Sequence, residues 1–267
     1  MVPIVLLCGN KGVGKSQFAD FLVKNHGAVA IAQADPLKRM VWELFPGVFN
    51  HDQLYGPSAK REERVKIDAS RLRATMAMPV VETWANRLFG AVGKAQTACG
   101  RFPYIFSKSI ADHAEACGGL TARWVLQVLG TDWARKVWPY VWTNQAWDSA
   151  VDVLSDEYAY DPIYGLINTK SGCRPPPFIA ITDGRFRSEI LSIRSRGGVA
   201  VKIELAFGDH RVMDQHASES ELRDIPDHFY DEILVNNGDL ADLERLACTV
   251  AYKIQEGPAR TYAQYRR

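Results

Sequence analysis

The chain begins with a seven-residue apolar run, breaks into a glycine-rich stretch and resumes with helical spacing: VPIVLLC (2–8), GNKGVG (9–14), KSQFADFL (15–22). Gly9, Gly12 and Gly14 fall within six residues, which suits neither a strand nor a helix interior, so the chain turns here. A buried strand, a tight turn and a helix in that order start a parallel α/β fold, because the helix must carry the chain back across the sheet. Gly9, Gly14, Lys15 and Ser16 also satisfy the spacing G-x-x-x-x-G-K-[ST]. The glycines let successive amide N–H groups converge on phosphate oxygens, and the helix that follows adds its positive end. Lys15 is placed to reach the outer phosphates of a nucleoside triphosphate, and the Ser16 hydroxyl to ligate Mg²⁺. Asn10, Val13 and Gln17 complete the expected donor site, whose ligand would be ATP with Mg²⁺.

Further short apolar runs occur at 28–33, 178–182, 199–205 and 232–236. Several are rich in valine and isoleucine without alternation, as strands covered on both faces are. Helical patterns lie between them, from Phe18, Phe21 and Leu22 to Leu240, Leu243, Leu246 and Val250. The pattern predicts a P-loop NTPase fold, a three-layer αβα arrangement with about five parallel strands and a large helical insertion. Residues 36–150 read as mostly helical and carry many aromatics. The expected organisation is a core domain from 1–35 and 178–267, interrupted at 36–177 by a mainly helical insertion. Residues 156–178, with a triple proline, read as an extended surface excursion.

Composition narrows the partners. The net charge of +1 supplies no general attraction to nucleic acid or to a membrane surface, and no apolar run spans a bilayer. The five cysteines form no CxxC pair and no cluster with histidine. That argues against structural zinc and a disulfide framework, and points to a reducing cytoplasm.

Three stretches bear on the acceptor. In QADPLKRMVWELF (33–45), Asp35 and Pro36 end the second strand and open a helix, with Leu37 and Lys38 following. Asp35 suits a helix cap, or an acceptor contact across the sheet edge from the cradle. In LTARWVLQVLGTDWARKVWPYVW (120–142), the GTD turn separates Arg123 from Arg135, and Thr131 and Asp132 resemble the cap of a second helix. Two helices could then aim both guanidiniums at one anion. Trp133, Trp138 and Trp142 suit either a core or a base-stacking role. In FIAITDGRFRSEI (178–190), an apolar strand ends in Asp183, positioned to hold Mg²⁺ or its water, or to cap the next helix. Arg185 and Arg187 follow, fit to neutralise a phosphoryl group in transfer or to lie in solvent.

The cradle together with RWVLQVLGTDWARKVW and TDGRFRSEILSIRSRGG resembles the deoxynucleoside monophosphate kinases of tailed bacteriophages, and the likeness runs through most of the chain. The resemblance implies ATP-dependent phosphorylation of deoxynucleoside 5′-monophosphates to diphosphates, with the insertion at 36–177 binding the acceptor and serving as a lid. It implies that Arg123 contacts the acceptor monophosphate, that Gly130 and Trp142 line its pocket, and that Lys11 lies near the transferring phosphate. A further arginine is expected from the segment holding Lys60, Arg61 and Arg64, with Arg61 or Arg64 preferred. Asn236, in the VNNGD turn, falls where kinases of this fold commonly hold the adenine. DQHASESEL (214–222) is also family-like, although Ser218 and Glu221 by themselves form a capping box that His216 would buttress. A homodimer is common in the family the chain resembles, and action in the host cytoplasm follows if the chain is phage-encoded. The balanced charge and the lack of a spanning run lead to the expectation of no membrane and no direct nucleic-acid partner.

Two rivals share part of the evidence. A P-loop kinase for a coenzyme precursor or another hydroxyl acceptor would need a base to deprotonate it. A nucleotide-switched DNA-binding subunit would need a basic stripe, which the balanced charge does not supply.

Overall fold

Five strands, β1 (Ile4–Cys8), β2 (Val29–Ala32), β7 (Ile179–Gly184), β8 (Val199–Leu205) and β9 (Glu232–Asn236), form one sheet in the order β2-β7-β1-β8-β9. Every pairing in it is parallel. The computed structural model describes residues 3–10, 12–74, 78–169, 174–206, 222 and 224–256. Two small antiparallel ladders stand apart from the sheet: β3 (Arg64–Val65) with β4 (Leu120–Thr121), and β5 (Tyr158–Asp161) with β6 (Gly165–Asn168). The longer helices are α1 (Lys15–His26), α2 (Asp35–Leu44), α3 (Met78–Phe89), α4 (Ala95–Tyr104), α5 (Ala122–Gln127), α6 (Val141–Leu154), α7 (Arg187–Ser195) and α8 (Leu240–Gln255).

Contacts divide the chain into two compact units, Met1–Gln33 with Thr143–Arg267, and Ala34–Trp142. In the first, β1 is buried at every position because both sheet faces are covered. Val5 and Leu7 face one way, onto Phe18 and Leu22 of α1 and Leu243 and Ala247 of α8. Ile4, Leu6 and Cys8 face the other way, onto Ile190 and Ile193 of α7 and Trp147 and Leu154 of α6. The alternation of one strand's side chains between two helical layers makes the αβα sandwich. Helix α1 stops at Gly27, where a left-handed residue lets the Gly27 and Ala28 N–H groups close on the Val23 and Leu22 carbonyls.

The five parallel strands bear out the expected fold class. The sequence reading grouped 143–177 with the insertion, whereas most of α6 and the β5–β6 hairpin belong by contact to the first unit. The reason is apolar: Ala146, Trp147, Ala150, Val153 and Leu154 are buried in the sheet's core. The supposed excursion contains a hairpin, whose turn is held by Asp161 accepting the Ile163 and Tyr164 N–H groups.

The second unit has its own core. Trp133 is fully buried, meets Phe89 and Phe102 edge-on, and donates its indole N–H to the Ala98 carbonyl at 2.9 Å. Of its two readings, core holds. A second correction concerns the GTD turn. Helix α5 runs on through a π-helical segment, Val128–Arg135, so Thr131 and Asp132 cap nothing. The wider turn leaves backbone carbonyls to find partners elsewhere, and Gly130 is served by the Trp142 indole N–H at 3.0 Å.

Candidate active site

Strand order sets the place of the glycine loop. Strand β1 is central, and the chain leaves it toward β2 on one side and later toward β8 on the other. In open α/β sheets, ligands bind beyond the carboxyl ends of the strands at such a switch point. The loop hangs from that end of β1. Gly9 has φ +146°, and a Cβ there would lie 2.3 Å from the Ile203 carbonyl oxygen, so backbone shape and space both demand glycine. Gly14 precedes α1 with left-handed backbone, and its carbonyl accepts the Phe18 N–H as the helix begins. The Lys15 ammonium folds back into the loop, donating to the Gly9 and Asn10 carbonyls at 2.6 Å each. The buried Asn10 Oδ1 has no hydrogen-bond partner among the described residues. Ser16, in the first turn of α1, is exposed, and Gln17 beside it is half-buried. Lys11 lies outside the described residues.

The tip of β7 is the loop's neighbour in the sheet, since Cys8 pairs with Gly184. A Cβ on Gly184 would lie 2.6 Å from Cys8 Sγ, so the two strand ends are pressed together. Burial, with nearby Glu189 adding to it, pushes the Cys8 thiol far above the ordinary thiol range, and Lys15 acts in the opposite sense. Asp183 takes a left-handed backbone, φ 68°, at this tip. It does not cap α7. That position falls to Phe186, while the buried Glu189 carboxylate accepts the Arg185 and Phe186 N–H groups at 2.7 and 3.0 Å. Glu189 thereby fixes the backbone that carries Arg185, a part the sequence reading did not assign to it. Arg187 lies over the Phe229 ring at 4.2 Å.

In the second unit, Asp35 is a residue of α2 and not its cap, and Pro36 sits in the first turn as expected. The Asp35 carboxylate receives the Lys38 ammonium at 2.9 Å, both residues are buried, and the ammonium lies 5.2 Å from the Tyr55 ring centre. Arg123 Nε lies 2.9 Å from a Glu62 carboxylate oxygen. Strand β3 joins β4 with Arg64 opposite Thr121, so residues 62–64 and Arg123 are brought together. Arg61 donates to the Gly56 carbonyl at 3.2 Å, and Arg64 to the Cys117 carbonyl at 2.7 Å. Trp142 and Gly130 are buried and hydrogen-bonded to each other, and a Cβ on Gly130 would press on a Leu37 methyl. Arg135 does not converge with Arg123 from a second helix. Both stand on one continuous helical stretch, roughly 15–18 Å apart along its axis.

A glycine-rich loop of this kind at the switch point of a parallel sheet is shared by many nucleotide-handling proteins, and its geometry alone does not name the class. Residues 3–246 match the family model described as deoxynucleotide monophosphate kinase. The chain belongs to that family. The kinase is also similar to a protein of Acanthamoeba polyphaga mimivirus named "Putative deoxynucleotide monophosphate kinase", with 26% identity over 241 residues that cover 88% of each chain. The match spans both units of this deoxynucleotide monophosphate kinase family member and identifies it as a phosphotransferase acting on nucleotides. Among its described residues no helix is long and apolar enough to cross a membrane. Cys8, Cys99, Cys117 and Cys248 are free thiols.

Sequence reasoning placed Asn236 at the adenine. Its side chain is turned into the protein, with Nδ2 donating to the Val13 carbonyl and Oδ1 accepting the Gly238 N–H, each at 2.9 Å. The signal available was Asn-Asn-Gly-Asp, an Asx-turn composition that predicts the Gly238 bond but not the long-range one. Buried Gln33, at the end of β2, accepts the Thr143 hydroxyl at 3.0 Å. That pairing has no sequence signature.

Proposed function

We propose that this kinase transfers the γ-phosphoryl group of ATP to the 5′-phosphate of a deoxynucleoside monophosphate. An acceptor phosphate oxygen forms the new P–O bond, the bond between the γ-phosphorus and its bridging oxygen breaks, and ADP leaves. The observation that carries the reading is the Lys15 ammonium held inside a glycine loop at the sheet's switch point, in a chain of this family.

The acceptor oxygen is already anionic, so positioning and charge neutralisation carry the chemistry and no strong base is required. Lys15 exchanges two carbonyl partners for phosphate oxygens, which bind an ammonium more strongly. Mg²⁺, arriving with the nucleotide, would be held by Ser16 and Asp183 and would neutralise charge on the bridging phosphates; one or two side-chain oxygens beside phosphate oxygens suit that ion. Arg185, whose backbone Glu189 fixes, supplies positive charge at the end of β7. The helical unit is the acceptor-binding part, with Arg123 on the monophosphate and the segment around Arg61 and Arg64 adding to it. Asp35, Pro36, Leu37, Lys38, Gly130 and Trp142 act through the packing of that unit. The free thiols and the viral relative favour action in the cytoplasm of an infected host.

An ADP-release assay run with each natural monophosphate in turn tests the reading. At least one deoxynucleoside monophosphate should stimulate ADP release, and Lys15→Ala should lower turnover about a hundredfold or more. Release that ignores every monophosphate would reject it.

A further inference from the structure

We propose that Asn236 is a positioning residue that holds the phosphate loop in its anion-binding shape, and that it does not read the adenine ring. The inference rests on the donor-site reading above. Asn236 ends β9, is 7% exposed, and has both polar ends of its side chain engaged inside the protein. Nδ2 donates to the Val13 carbonyl, within the loop, and Oδ1 accepts the N–H of Gly238, in the turn that leads into α8. The side chain is a two-ended clasp, joining the loop to an edge strand that follows it by more than two hundred residues. The approach is close. A Cβ on Gly14 would lie 3.0 Å from Asn236 Nδ2 and 3.1 Å from a Leu243 methyl.

The clasp acts on phosphate through one peptide unit. In a trans peptide the carbonyl and the N–H point in opposite directions. Tying the Val13 carbonyl outward to Asn236 therefore turns the Gly14 N–H inward, alongside the amide donors of the first turn of α1. Without that tie the Val13 carbonyl loses its buried partner, and the peptide gains freedom to rotate because a glycine follows it. The bond thus selects the rotation of the loop peptide that a polyphosphate needs, whatever base the nucleotide carries.

Inorganic tripolyphosphate, which has no base, separates the clasp from an adenine contact. Calorimetric titration of the full chain with tripolyphosphate and with ATP compares wild type, Asn236→Ala and the isosteric Asn236→Asp. Asp keeps an acceptor for Gly238 but sets an oxygen against the Val13 carbonyl. Asn236→Ala should weaken tripolyphosphate and ATP by the same factor, about tenfold, the loss of one buried hydrogen bond, and Asn236→Asp should weaken both further because its carboxylate also repels the polyanion. In steady-state assays KM for ATP should rise while KM for the monophosphate stays. Weakened ATP with unchanged tripolyphosphate would overturn the clasp in favour of an adenine contact. Lowered thermal stability with both affinities intact would overturn it in favour of a purely structural bond. Wild-type protein that binds neither ligand would have a different signature: the donor-site reading fails, and the inference with it.

Discussion

Lys15 and Arg123 hold their charges in different ways. The Lys15 ammonium donates to two backbone carbonyls at 2.6 Å, neutral groups that bind a cation less strongly than phosphate oxygens do. Arg123 faces a carboxylate, Glu62, whose side chain is 53% exposed while that of Arg123 is 22% exposed. An ion pair this open to water is weakly held. A phosphate able to take two N–H groups of the guanidinium fork at once is the better partner. Arg123→Ala should therefore raise KM for the monophosphate about tenfold or more and leave KM for ATP unchanged. Near-normal kinetics with the monophosphate would remove Arg123 from the acceptor site. At this scale the glycine loop was legible because its pattern is local: Gly9, Gly14, Lys15 and Ser16 are fixed by short spacing. The Asn236 bond to Val13 was not, since it depends on β9 lying beside β8 in the finished sheet.

Among the elements, the stretch from Ala122 through Arg135 departs most from its reading. Gly-Thr-Asp has the composition of a helix stop followed by a cap, and local preference alone would end the helix there. Tertiary contacts prevail: Trp142 satisfies the Gly130 carbonyl, and Trp133 and Ala134 are buried on the far side of the expected turn. Trp133 bears most of that burden, filling space among Phe89, Phe102 and Ala98. Trp133→Ala should cost about 3–5 kcal/mol, the range for emptying a large aromatic site, and should also strand the Ala98 carbonyl. Denaturant unfolding checks this; a loss under about 1 kcal/mol would mean that the site collapses without it. The five strands of the main sheet, by contrast, were legible at nearly their final boundaries. Runs of valine and isoleucine buried on two faces leave little choice of structure.

For the whole molecule, the chain builds two cores. One is the sheet with its two helical layers, and the other is the aromatic cluster of Ala34–Trp142. The sequence revealed a helical insertion through its composition. Its far boundary was obscure because α6 reads as helix whichever core receives it. If the duties divide as proposed, amide hydrogen exchange should report them apart. An ATP analogue should slow exchange in residues 9–18, and the monophosphate should slow it around residues 61–64 and 122–127. A monophosphate that protects only the sheet unit would refute that division.

Asp183, left-handed at the end of β7, has a consequence for how the chain can change. Glycine would adopt that backbone without strain, so relief of about 1 kcal/mol stands open to a single substitution that also erases the carboxylate. If Asp183 holds Mg²⁺ as proposed, selection for robustness alone would favour the exchange and selection for turnover would forbid it. On that reading, position 183 sets those two pressures against each other.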